Sequence, residues 1–179
     1  MSHDFQMTVA EVVERLVAIG AADEVLLAGQ IRNWSRRGLY GPLETRGTGP
    51  TAPKVFDEKH LVMTRIFSIL SRLGMDATHL SVVARLLNKT PYDAAPVGES
   101  YEPGLPVVIK SYKAGERNWR FRIYSDEWGN IRGGGLTPDE VPHPLMQMRY
   151  PIHHTIEAPA IFGGLFTPEL PELSAGGEG

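Results

Sequence analysis

The chain has 179 residues, enough for one domain or two small ones, with 42% apolar and 22% charged residues and a net charge of −3. It contains no cysteine, which excludes disulfide frameworks, thiolate metal sites and cysteine nucleophiles and suits a reducing cytoplasm. No apolar run approaches the roughly 18 residues of a membrane span, and residues 1–6 lack the basic and apolar regions of a secretory signal.

The average charge hides an asymmetry. Residues 1–90 hold 11 Lys/Arg and 9 Asp/Glu, a net of +2; residues 91–179 hold 7 and 12, a net of −5. Between residues 31 and 56, Arg32, Arg36, Arg37, Arg46 and Lys54 face only Glu44. Such a local excess attracts a polyanion even on a mildly acidic chain.

In chain order, Thr8 and Glu11 form a Thr-x-x-Glu capping box ahead of Val9, Val12, Val13, Leu16 and Val17, which recur at helical spacing until Gly20. Asp23 to Gly38 reads as a second helix, or a short turn plus helix. Leu27, Ile31 and Trp34 give it a buried stripe, and Arg32 and Arg36, with Asn33 and Arg37 alongside, give it a basic, amide-bearing side. Three glycines and three prolines between 39 and 56 exclude a regular helix, so Leu43–Thr45 and Lys54–Phe56 are expected to flank a flexible tip as a hairpin. Asp57 caps a third helix carrying Val62, Ile66, Ile69, Leu70 and Leu73 to Gly74, and a fourth runs from Thr78 to Asn88.

Four prolines between 91 and 106 mark a linker. Beyond it the expected elements are strands. Val107–Tyr112 is the first; Trp119–Tyr124 follows, with Trp119, Phe121 and Ile123 inward and Arg120, Arg122 and Tyr124 on a solvated face. Asp126–Gly129 is a turn, Asn130–Arg132 a short return strand, Gly133–Gly135 a flexible turn, and Ile152–Ile156 a last strand. The tail from Thr167, rich in Pro, Gly and Glu, has the composition of a disordered segment.

The expected fold is therefore α+β. A winged helix-turn-helix, mostly α with a β-hairpin wing, occupies residues 1–90; a linker covers 91–106, a small antiparallel β domain 107–166, and a tail 167–179. A helix fits the major groove of DNA, where base edges are distinguishable. Arg can hold guanine, and Asn adenine, by paired hydrogen bonds, each worth about 1–3 kcal/mol of discrimination. Cations on a wing meet phosphates and position the protein.

These features resemble one family. Gln30-Ile31-Arg32-Asn33-Trp34-Ser35-Arg36-Arg37-Gly38-Leu39 is similar to the recognition-helix signature of the MerR family of transcription regulators, Thr-Leu-Arg-Tyr-Tyr-Glu-Arg-x-Gly-Leu. Pro42 and Arg46 resemble the family's way into the wing, Lys54-Val55-Phe56 through Leu61 its exit, and Arg65 to Met75 its next helix with a glycine stop. The resemblance covers about residues 8–88 and implies sequence-specific double-stranded DNA binding. Gln30, Arg32, Asn33, Trp34, Arg36 and Arg37 would lie on the groove side, and Arg46 and Lys54 on phosphates.

The chain departs from the family in three ways. Val25-Leu26-Leu27 stands where the family has a Gly-Val-Ser turn; Trp34 replaces a tyrosine, with its ring either in the core or toward DNA; and no heptads follow Asn88 to build the family's coiled-coil dimer. A homodimer is still expected from the two-fold logic of operator binding, through the β domain or the third and fourth helices, unless another protein assists. The β domain could also take a small-molecule effector or a protein partner.

Histidines 143, 153 and 154 do not have the spacing of a metal site, and neither a cofactor motif nor a catalytic constellation is legible. The expectation is a cytoplasmic, nucleoid-associated DNA binder without enzymatic activity. The alternative from another class is a protein–protein assembly module that uses a winged-helix fold without DNA readout.

Overall fold

The computed structural model describes residues 5–20, 23–49, 52–88, 104–138 and 149–166. Among them are six helices and a three-stranded antiparallel sheet, an α+β architecture. The elements are α1 (Val9–Ala18), α2 (Glu24–Arg36), α3 (Glu58–Arg72), α4 (Ala77–Leu87), α5 (Leu105–Lys113), β1 (Trp119–Ser125), β2 (Ile131–Pro138), β3 (Ile152–Glu157) and α6 (Ala158–Phe162).

The first four helices begin where the sequence marks them. The Thr8 hydroxyl accepts from Glu11 N at 3.4 Å, and the Glu11 carboxylate accepts from Thr8 N at 2.5 Å, closing the capping box on α1. Asp23, Asp57 and Asp76 cap α2, α3 and α4 by accepting backbone N–H groups of their first turns. The end of α2 is a Schellman motif. Gly38 takes the left-handed conformation at φ 70°, its N–H reaches Ser35 O at 3.1 Å, and Leu39 N reaches Trp34 O at 3.0 Å.

The stretch between α2 and α3 pairs less than a full hairpin. One antiparallel bridge joins Thr45 to Lys54, flanked by Arg46 N to Pro53 O and Val55 N to Glu44 O, both 2.9 Å. A second bridge joins Phe56 to Met7, ahead of α1, tying the exit of this excursion to the start of the fold.

Three expectations for the second half are corrected. Val107–Tyr112 is helical, within α5, not a strand: Leu105, Val108, Ile109 and Tyr112 are buried at i, i+3, i+4 and i+7, and that spacing outweighs the strand preference of the Val-Val-Ile run. Gly133–Gly135 is no turn. All three lie in β2, paired with Tyr124, Ile123 and Arg122 of β1, and the chain turns earlier, at residues 126–130. Nor is the second face of β1 solvated, since Arg122 and Tyr124 are buried along with Phe121 and Ile123.

The sheet order is β2-β1-β3. β2 packs against α4, α5 and α6 pack against α3, and α6 closes on β1 and β3. Lys113 of α5 pairs with Glu58 of α3 at 2.5 Å, and Arg65 of α3 donates to Ala160 O of α6 at 3.3 Å. Buried apolar side chains from both halves form one continuous cluster, from Val12, Leu16 and Ile31 through Phe67 and Leu80 to Phe121, Ile156 and Phe162. Among the described residues no helix is long and apolar enough to cross a membrane. Most of the expected linker, residues 91–103, and the tail, 167–179, lie outside the described residues, as do Pro50, Thr51 and His143.

Candidate nucleic-acid interface

Helix α2 carries most of the candidate residues, and its 3.6-residue period sorts them into three rows. Leu27, Ile31 and Trp34 point into the core. Val25, Gly29, Arg32 and Arg36 form one outward row, and Leu26, Gln30, Asn33 and Arg37 the row beside it. Arg32, Arg36 and Arg37 are exposed, while Gln30 and Asn33 are half-buried. Arg32 and Arg36 have no ion-pair partner among the described residues; Arg37 Nε donates to Asn33 Oδ1 at 3.4 Å. Among the described residues, no carboxylate lies within ion-pair distance of Arg32 or Arg36.

Trp34 belongs to the opposite side. It is 3% exposed, and its ring meets Phe67 edge-to-face at 5.5 Å. Of the eight candidate residues, Trp34 is the one the fold withdraws from the surface, because it completes the stripe begun by Leu27 and Ile31.

The two cations outside α2 have different surroundings. Lys54 Nζ lies 3.4 Å from the Ser35 hydroxyl, so this ammonium adjoins the C-terminal turn of α2. Arg46 turns toward α1 instead: its Nη2 donates to Gln6 O at 2.7 Å and lies 4.0 Å from the Glu11 carboxylate. Hydrogen bonds from the backbone and hydroxyl of Thr8, with the Arg46 charge adding to them, hold the Glu11 carboxyl below the usual carboxylate range. Lys54 thus adjoins α2 through Ser35, whereas Arg46 is engaged by Gln6 and Glu11 ahead of and within α1.

Beneath this surface an aromatic and polar cluster fixes the end of α2 to the start of α3. Tyr40, two residues beyond Gly38, is buried edge-to-face against Phe56 at 5.3 Å. The Tyr40 and Thr64 hydroxyls are 2.9 Å apart, and Thr64 donates onward to His60 O at 2.7 Å. Burial pushes the Tyr40 phenol well above its ordinary value, so it stays protonated through the accessible pH range. Asp57 and His60 pair at 2.7 Å at the first turn of α3.

The sequence reading missed part of the outward face of α2. Val25 and Leu26 are 83% and 62% exposed, and Gly29 presents bare backbone between them and Arg32. The signal was present in the row spacing, which puts Val25 and Gly29 in line with Arg32 and Arg36. A second missed feature is Trp128, exposed on the turn between β1 and β2. The buried carboxylate of Asp126 organises that turn, accepting from Trp128 N, from Asn130 N and Nδ2, and from Arg132 Nε at 2.7 Å.

No group of three or more His, Asp or Glu side chains converges into a metal site among the described residues. On β3, His153 and His154 occupy successive positions opposite Tyr124 and Ile123, so they point to opposite faces of the sheet. Comparison with protein-family models, with characterised proteins and with solved structures finds no significant match to this chain.

Proposed function

We propose that this protein is a sequence-specific double-stranded DNA-binding regulator of transcription, with α2 entering the major groove and the Thr45–Lys54 excursion acting as its wing. The observation that carries the reading is the 3.4 Å approach of Lys54 to Ser35, which brings a cation of the excursion to the C-terminal turn of α2, beside Arg36 in the chain. Arg32 and Arg36, exposed and without carboxylate partners among the described residues, are free to take base edges and phosphates. In this reading Arg32 and Asn33 read bases, Gln30 adjoins them, Arg36, Arg37 and Lys54 hold phosphates, and Arg46 makes at most a marginal contact. Trp34 supports the helix from within. A homodimer would seat two α2 helices in successive turns of the groove, on half-sites about 10 base pairs apart.

A salt series tests the reading. Affinity for duplex DNA should fall with salt on a log–log slope near −0.9 per phosphate contact. Lys54→Ala should weaken binding to all sequences and flatten that slope by about 1, whereas Arg32→Ala should relax preference at one base position. Arg46→Ala should change the slope less than Lys54→Ala does. If no duplex is bound at low salt, the regulator reading fails and the assembly-module alternative takes its place.

A further inference from the structure

The outward rows of α2 are not uniformly cationic. Their C-terminal half carries Arg32, Arg36 and Arg37, while their N-terminal half carries Val25, Leu26 and Gly29. Val25 and Leu26 are adjacent apolar side chains standing in water, on the side of α2 opposite the fully buried Leu27 and Ile31. Gly29 needs a reason. A Cβ built there meets nothing within 4 Å, so no packing within the protein forbids alanine, and alanine would favour the helix. An exposed glycine in mid-helix fits a ligand that comes close to the backbone.

We propose that Val25, Leu26 and Gly29 form a notch that receives a thymine methyl group in the major groove, two to three pairs from the base pair read by Arg32. This deepens the proposed function and rests on its placement of α2 in the groove. Thymine is the base that presents a methyl group there, and an apolar contact is the means of recognising it. The charge distribution favours this orientation. Arg36, Arg37 and Lys54 at the C-terminal end of α2 attract the phosphate backbone, which leaves the N-terminal half of the outward rows for base edges. Val25 and Arg32 are seven residues apart, about 10 Å along the helix, or about three base-pair steps. The bound sequence should therefore carry a thymine two to three pairs from a guanine.

The test begins with selection of binders to the full chain from a pool of random duplexes. The enriched duplex is then resynthesised with deoxyuridine, which lacks only the methyl group, replacing each thymine in turn. At one position, two to three pairs from the Arg32-dependent guanine, the exchange should weaken wild-type binding about three- to fivefold. The Val25→Ser/Leu26→Ser variant should bind the thymine and deoxyuridine duplexes alike and keep the wild-type salt slope. Gly29→Ala should raise the thermal midpoint by about 2 °C and yet lower affinity at least tenfold, a pairing that loss of structure cannot produce.

Equal wild-type affinity for every deoxyuridine duplex, or undiminished binding by Gly29→Ala, would overturn the notch while leaving Arg32-dependent DNA binding in place. A pool in which nothing is enriched removes both the notch and the regulator reading.

Discussion

Trp34 and Arg32 are two positions apart on α2 and have opposite physical roles. Trp34 fills the space against Phe67, so Trp34→Ala should cost about 3–5 kcal/mol of unfolding free energy, read from urea denaturation, whereas Arg32→Ala should cost under about 0.5 kcal/mol. Both assignments could be drawn from spacing, but they competed. The i, i+4, i+7 stripe with Leu27 and Ile31 put Trp34 inside, and the family resemblance put it in the groove; a large apolar ring follows the stripe. Asp126 was legible only as a turn residue, because the partners that converge on it come from tertiary geometry. Burial pushes its carboxyl up, but hydrogen bonds from the Asn130 side chain and backbone and from Arg132 outweigh that and hold it below the ordinary range. A depressed carboxyl contributes stability that is present above its unfolded value near 3.9 and lost as pH falls through the lower folded value. Wild type should accordingly exceed Asp126→Asn in urea midpoint by a constant margin from about pH 5 to 8, and the margin should shrink below about pH 4. A margin that does not move with pH would contradict the role given to the carboxylate.

At the scale of elements, caps and stops were the most readable part of the chain. Thr8 and Asp57, read from the sequence, start their helices by chemistry confined to three or four residues, and that chemistry survives any tertiary arrangement; Asp76 does the same for α4, one residue ahead of the Ala77 start, where the reading began at Thr78. Elements whose identity depends on neighbours were harder to read. In α5 the buried set repeats at helical spacing, but a β-branched run of three residues has the same composition as a strand. In β2 the glycines carry no side-chain pattern at all, and their strand identity comes from pairing with β1. Gly134 is required there: at φ 141° a Cβ would lie 2.2 Å from Arg122 O, inside the partner strand's backbone. Gly134→Ala should lower unfolding free energy by about 1–3 kcal/mol, and thermal unfolding followed by circular dichroism would detect it. Of the candidate site, the cationic half of α2 was legible because charge and period coincide. The Lys54 contact was not, because it spans 19 residues, and neither was the inward turn of Arg46, which depends on Gln6 and Glu11 across 40 and 35 positions.

Over the whole molecule, helices and sheet share one interior, although composition had set residues 1–90 apart from the rest. A chain cut after Asn88 would expose the sides of α3 and α4 that meet α5, α6 and β2, so its thermal transition should lose cooperativity or vanish, as read by calorimetry. A sharp transition near that of the full chain would show instead that the first four helices are self-sufficient. The same interdependence has a consequence for biosynthesis through Arg15. This side chain lies over the Phe5 ring at 5.1 Å and donates to Leu165 O at 2.8 Å, clasping two segments 160 positions apart. A ribosome releases α1 long before it makes Leu165, so Arg15 must wait for 150 further residues to be made before it meets this partner. Nascent chains stalled short of that point should be far more open to proteases than the released protein.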